Sequence, residues 1–327
     1  MSEHPSAIET EGLRKEFSGG VVAVEGIDLR VPDGEIFGFL GPNGAGKSTT
    51  VRMLTTLLRP SAGWARVAGL DVVSEAHSVR RRIGVALQEA GLDGMSTARE
   101  LLVLQARLHG LSGAAPAQRA ADLLQLVGLT EAADRLVKTY SGGMKRRLDL
   151  ASALIHGPRV LFLDEPTAGL DPASREAVLD EVQRLNRDDG ITVFLTTQYL
   201  EEADRMAHRL AIIDQGRIVA EGTPLELKRS VGADMVAVDV PAHQVQAARQ
   251  ALAACEGVVD ARADGSGITL FVTDGTKAAA QVIRLLDRAD VGVSSVSVSA
   301  PTLDEVFLRA TGERLEGAGA DESGEAA

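Results

Sequence analysis

Lys47 and Ser48 close a glycine-spaced run, GPNGAGKSTT (Gly41–Thr50), that follows the apolar stretch EIFGFL (Glu35–Leu40) and precedes a helical pattern. Glycines at 41, 44 and 46 let successive backbone N–H groups turn inward and form a nest for phosphate oxygens. A helix starting near Gly46 adds its positive end. Lys47 can set its charge on β- and γ-phosphates, and the Ser48 hydroxyl can ligate Mg²⁺. Gly41-x-x-x-x-Gly46-Lys47-Ser48 is the P-loop pattern, placed between a strand and a helix as that pattern requires. The residues from Gly41 through Pro42, Asn43, Gly44, Ala45, Gly46, Lys47 and Ser48 to Thr49 are therefore read as a phosphate cradle.

Such a cradle needs a second carboxylate for the metal, at the end of a buried strand. VLFLDEP (Val160–Pro166) supplies Asp164, with Glu165 beside it. Neighbouring side chains at a strand end point to different sides. Asp164 can then hold the metal through water while Glu165 polarises an attacking water. A third element is YSGGMKRRLDLASAL (Tyr140–Leu154), where Ser141, Gly142 and Gly143 precede a helical pattern. The serine can cap that helix, and the free N–H groups can face an anion. The P-loop already holds the β- and γ-phosphates, so this second nest is expected to serve a nucleotide held by another copy.

These residues need a scaffold, and the first two-thirds of the chain alternate apolar runs with helical patterns, as an α/β layered domain does. Strands are expected over Val22–Val31, Glu35–Leu40, Trp64–Ala68, Arg82–Leu87, Val160–Leu163, Ile191–Thr196 and Leu210–Asp214. Runs such as VLFL and ITVFLTT are continuously apolar, which suits parallel strands buried on both faces. Helices are expected over Lys47–Leu57, Ala98–Leu108, Gln118–Val127, Gly142–Ile155 and Arg175–Leu185, and a closing hairpin over Asp214–Gly222. Trp64 is read as packing. The basic runs RRR (Arg80–Arg82) and KRR (Lys145–Arg147) are read as solvated helix faces.

After Lys228 the rhythm changes to strand (Met235–Val240), helix (Ala242–Cys255), strand (Val258–Ala263), strand (Ile268–Val272), helix (Thr276–Ala289) and strand (Val291–Val298), with a last helix after Pro301. That βαββαβ order is the split-βαβ, ferredoxin-like arrangement. The expected domains are a cassette over 1–230, a small α+β domain over 231–312, and a disordered acidic tail over 313–327. Among 327 residues, 45% are hydrophobic, the net charge is −12 and the pI is about 5.1. An acidic balance argues against nucleic acid as a partner. The single cysteine, Cys255, excludes an intrachain disulfide and is read as core, and six scattered histidines offer no zinc site. With no apolar leader and no run long enough to span a bilayer, the expectation is a soluble, cytoplasmic chain.

Together GPNGAGKST, SGGMKRR, VLFLDEP and AGLDP (Ala168–Pro172) resemble the ATP-binding-cassette (ABC) ATPases, roughly over Ile8 to Leu227. The resemblance implies a P-loop ATPase fold with a mixed sheet and a helical subdomain, and ATP with Mg²⁺ as ligands. It implies that Phe17 stacks on adenine, that Gln88 touches Mg²⁺ and signals to a membrane subunit, and that Asp171 lies in the loop crossing a dimer interface. It also implies a homodimer of cassettes paired head to tail, with ATP between the P-loop of one and the SGG of the other. Where the family commonly has a histidine on the γ-phosphate, this chain has Gln198, whose amide can donate a hydrogen bond but cannot shuttle a proton. TTQYLEEAD and PTLDEVFLRATG resemble the drug-resistance branch, such as the daunorubicin/doxorubicin exporters. The implied function is the ATPase of an exporter on the cytoplasmic face of the membrane, peripheral to a separate multi-span permease. Other classes are a lipid or peptide exporter, a soluble ABC ATPase acting on ribosomes or DNA, and a non-hydrolysing nucleotide sensor, against which both carboxylates, Asp164 and Glu165, speak.

Overall fold

The first strand, β1 (Ser6–Glu16), is one that alternation alone does not announce. Ile8 and Thr10 are buried on one phase and Leu13 on the other, because a bulge at Gly12 (φ +56°) shifts the register between Thr10 and Leu13. A computed structural model describes residues 6–87, 91–232, 234–264 and 267–312 of the chain. Gln88 and the segment 313–327 lie outside the described residues.

After β1 come β2 (Val22–Pro32), β3 (Ile36–Leu40), α1 (Lys47–Leu54), β4 (Ala62–Val67), β5 (Leu70–Asp71), α2 (Ala76–Arg80) and β6 (Ile83–Ala86). Three helices follow, α3 (Ala98–Leu108), α4 (Ala115–Leu126) and α5 (Gly142–Ala153). Next are β7 (Val160–Asp164), α6 (Pro172–Asp189), β8 (Thr192–Thr197), α7 (Leu200–Met206), β9 (Arg209–Asp214) and β10 (Arg217–Gly222).

A six-stranded sheet runs β10-β9-β3-β8-β7-β6, parallel except for the closing hairpin of β9 and β10. That hairpin turns through Gln215 (φ +45°) and Gly216 (φ +80°), two successive left-handed residues that match the twist of the flanking strands. A separate antiparallel sheet has the order β2-β1-β4-β5. Between the two sheets lies one core, in which Phe37, Phe39, Phe162 and Phe194 meet Ile8, Val24, Val31 and Val67. The other face of the six-stranded sheet joins α3, α4 and α5 in a second core around Leu102, Leu124, Leu148 and Leu163. This is the α/β architecture with a mixed sheet and a helical side that the sequence pattern leads one to expect. Trp64 departs from its expected packing role. It is exposed on β4, its indole N–H donates to Glu11 at 3.1 Å, and Arg66 lies over the ring.

The chain divides into two compact units between Pro224 and Leu225. The second contains most of α8 (Pro224–Val231), then β11 (Asp234–Asp239), α9 (Val245–Leu252), β12 (Val258–Asp264), β13 (Gly267–Val272), α10 (Gly275–Arg288), β14 (Ser295–Ser299) and α11 (Leu303–Thr311). Its sheet order is β12-β13-β11-β14, antiparallel throughout, and its core holds Val236, Leu270, Val282 and the thiol of Cys255. β14 starts later than its apolar pattern implies. Asp290 takes a left-handed conformation after α10, and Val291 packs into the core as the chain leaves that helix. A capping box of Thr302 and Glu305 opens α11.

Candidate active site

Three neighbouring parallel strands, β3, β8 and β7, end at the same edge, where a parallel sheet offers its ligand site. Leu40 pairs with Thr197, and Thr196 pairs with Asp164. The register thus brings the glycine loop after β3, the Gln198 segment after β8 and Asp164-Glu165 at the end of β7 side by side.

The glycine loop is shaped by close backbone approach. A methyl group at Gly41 would lie 2.3 Å from the Ile213 carbonyl oxygen, so only glycine fits there. Gly46 has φ +110° and would press a Cβ to 2.5 Å from the Ala23 carbonyl oxygen. It is the N-cap of α1, and no side chain caps that helix, so its first N–H groups are left for a ligand. Gly41, Ala45, Gly46 and Lys47 are buried, Pro42, Ser48 and Thr49 half-buried, and Asn43 and Gly44 exposed at the tip.

Lys47 is 5% exposed, and its ammonium donates to the carbonyls of Gly41 at 2.6 Å and Pro42 at 3.1 Å. Burial lowers its proton affinity, while the charges of Glu165 and Asp164 oppose that shift. The Nζ lies 3.8 Å from Glu165 Oε1. Ser48 Oγ donates to Asp164 Oδ1 at 3.4 Å, so a hydroxyl and a carboxylate oxygen face each other across the loop. A hard divalent cation takes such an oxygen set, which the Ser48–Asp164 pair therefore fits.

Two residues that the motifs do not announce fix the carboxylates. Thr196 Oγ donates to Asp164 Oδ1 at 2.6 Å and accepts from the Glu165 backbone N–H at 3.1 Å. Glu202, buried on α7, accepts from Thr167 at 2.6 Å and from Thr197 at 2.9 Å, tying the segment after Glu165 to the strand end before Gln198. Burial pushes its carboxyl up, against those hydrogen bonds and the charge of Arg175. The TT at the end of an apolar strand was the available signal for Thr196. Gln198 itself is half-buried directly after β8.

The reading of KRR as a solvated face is corrected by Arg146, which is 7% exposed. Its helix, α5, presents Gly143, Arg146, Leu150 and Ala153 as one buried stripe at helical spacing. Asp149 pairs with it at 3.2 Å, and burial pushes that carboxyl up to about 6 even though Arg146 pulls the other way. Ser141 caps α5, accepting from the Met144 N–H, and with Gly142 it is exposed. Gly143 is buried, since a Cβ there would meet Ser174 Oγ at 2.4 Å. Asp171 is exposed and caps α6. Its bond from Ser174 holds its carboxyl below the usual range. Phe17 is 41% exposed, on the turn closed by its N–H to Val21, which leads into the strand passing Gly46.

A glycine nest on a helix N-terminus, a lysine in its floor and two adjacent carboxylates at the next strand but one define a nucleotide-binding P-loop ATPase. The sequence matches the ABC transporter family over residues 24–168 and the C-terminal domain of DrrA1-3-like ATP-binding proteins over residues 222–311. It is 48% identical to the daunorubicin/doxorubicin resistance ATP-binding protein DrrA of Streptomyces peucetius, covering 99% of this chain and 98% of that protein. It is 42% identical to the doxorubicin resistance ATP-binding protein DrrA of Mycobacterium tuberculosis, with 97% of each covered. It is 40% identical to the Nod factor export ATP-binding protein I of Paraburkholderia xenovorans, covering 95% of this chain and 99% of that one. A dimeric ATP-binding cassette bound to ADP and Pi in a post-hydrolysis state superposes with a TM-score of 0.62 and 26% identity, covering 66% of this chain and 98% of its own. The chain belongs to the ABC transporter ATP-binding proteins, in the drug-resistance branch that carries the DrrA-type C-terminal domain. It is an ATPase subunit of that family, and no helix among its described residues is long and apolar enough to cross a membrane.

Proposed function

We propose that this chain hydrolyses ATP to drive export of a drug or another hydrophobic compound through a separate multi-span membrane subunit, from the cytoplasmic face of the membrane. The observation that carries the reading is the meeting of Lys47 and Ser48 with Asp164 and Glu165 at one sheet edge, in a chain similar to drug-resistance ATPases over its whole length. Backbone N–H groups of Gly44 to Ser48 and the Lys47 ammonium bind the phosphates. Ser48 and Asp164, with Gln88, would hold Mg²⁺, which when bound neutralises charge on the phosphates. Phe17, exposed on the turn that leads into the strand passing Gly46, stacks on adenine. Glu165 accepts a proton from the attacking water.

Ser141, Gly142, Gly143 and Asp171 stand away from their own chain's carboxylates in function and meet the nucleotide of a second copy, head to tail. Their exposure, Gly143 apart, supports this. The C-terminal domain, with no phosphate loop in its sequence, serves assembly or regulation. A second reading, export of an amphiphile that is not a drug, is favoured by the likeness to a Nod factor exporter's subunit. Expressing the chain with its membrane partner in a drug-sensitive host tests both. Raised resistance to daunorubicin that is lost with Lys47→Ala is expected, and unchanged sensitivity with intact ATPase activity would move the reading to another cargo.

Gln198 follows β8 where a γ-phosphate contact is needed. Its neutral amide is worth about 1 kcal/mol net, close to fivefold in rate. Gln198→Ala should therefore slow steady-state ATP hydrolysis about fivefold. Gln198→His should keep activity and add a pH step between 6 and 8 that the native amide lacks. An alanine form matching the native chain across that range would make Gln198 a bystander.

A further inference from the structure

Glu165 adopts φ +48°, a left-handed conformation that a non-glycine residue holds only when its surroundings impose it. One side chain grips the carbonyls of both neighbouring residues. Arg146 Nε donates to the Pro166 carbonyl at 2.8 Å and Nη2 to the Asp164 carbonyl at 2.9 Å. Its Nη1 donates to the Leu87 carbonyl at 2.5 Å, the last described residue before Gln88, and to Asp149.

We propose that Arg146 is a positioning residue for ATP hydrolysis, holding Glu165 in its working conformation and linking that conformation to the Ser141-Gly142-Gly143 end of the same helix. The inference rests on the reading of Glu165 as the base. A buried guanidinium is a poor core filler, since apolar side chains of similar volume commonly serve stability as well or better. Here its planar fork meets three backbone carbonyls from two segments of the site, Leu87 after β6 and Asp164 and Pro166 at the end of β7, and an ammonium cannot reproduce that geometry. On the N-terminal side of Glu165, Thr196 fixes the amide through its backbone and hydroxyl oxygens. Arg146 fixes the carbonyls on either side. The carboxylate's direction is therefore set from outside its own residue. Because Arg146 sits one turn into α5, a displacement of the exposed Ser141-Gly142 end by a second copy's nucleotide is transmitted to the same carbonyls through a rigid helix.

Steady-state hydrolysis and binding of a fluorescent ATP analogue by the full-length chain test this with Arg146→Met and Arg146→Lys, each alone and combined with Glu165→Gln. Arg146→Met is expected to lower kcat at least tenfold with KM and nucleotide affinity within twofold, and Arg146→Lys to recover only part of the loss. In the Glu165→Gln background, where no base remains to be positioned, Arg146→Met should change the residual turnover less than twofold. Equal losses in both backgrounds, or parallel losses of affinity and melting temperature, would make the residue structural and overturn the proposal. If Arg146→Met does not fold, Arg146→Lys carries the same comparison, and native kcat in that form overturns it too. Near-native turnover by Glu165→Gln alone would instead remove the base assignment, an outcome read without any Arg146 variant.

Discussion

Glu165→Gln is expected to bind ATP as tightly as the native chain and to lose turnover by about 10²–10⁴-fold, the range a positioned general base contributes. Glutamine keeps the size and the reach of the side chain, so the left-handed backbone and its grip by Thr196 and Arg146 should persist. What disappears is the lone pair basic enough to take a proton from water. The exchange also removes the negative partner 3.8 Å from the Lys47 ammonium. Lys47 then has one competitor fewer for the phosphates, so affinity should not fall. ATP bound without hydrolysis should accumulate as a dimer on size exclusion, provided the second nest is completed in trans. Turnover close to native would place the base elsewhere. Tight binding without dimer would keep the base and remove the trans role of Ser141.

Most of what positions these groups is legible before any fold is seen, because continuous apolar runs ending in special residues mark buried parallel strands. The apolar runs VLFL (Val160–Leu163) and EIFGFL (Glu35–Leu40) end where β7 and β3 do, within a residue. The illegible parts have physical causes. β1 hides because Gly12 shifts the buried phase from Thr10 to Leu13, so no single alternation runs through it. α7 carries LEEADRM, whose charges suggest a solvated helix or loop. Yet Glu202 is buried there with two threonine hydroxyls donating to it, Thr197 from the strand end just before and Thr167 from the distant segment after β7. Arg146 hides in a basic run, although its spacing to Gly143, Leu150 and Ala153 places it on the buried stripe of α5. Pattern reading assigns arginine to solvent by default. Only tertiary contact reveals carbonyls arranged to receive its fork. The polar residues missed are thus ones that each have a decisive partner far away in sequence.

Lys47→Ala is expected to weaken ATP binding by about 10- to 100-fold, since a hydrogen bond to a charged group contributes roughly 1.5–3 kcal/mol. The position explains why the loss should fall on binding before any later step. The ammonium is buried among the carbonyls of Gly41 and Pro42, with the charges of Glu165 and Asp164 opposing the effect of burial. It is thus already desolvated and held against the loop's own carbonyls, so phosphates gain its attraction without ordering a flexible chain first. Alanine leaves the backbone nest and the open N-terminus of α1 intact, and these retain weak binding. It also removes a buried cation whose desolvation works against folding, and leaves the Gly41 carbonyl short of a donor. These two effects oppose each other, so the melting temperature of the nucleotide-free protein should move little. The decisive comparison is therefore between that melting temperature and the additional stabilisation conferred by saturating ATP. The expected result is a native-like baseline with most of the ATP-induced rise gone. A full ATP-induced rise in Lys47→Ala would mean that phosphates are held without Lys47, and the assignment of this loop as the main phosphate site would fall.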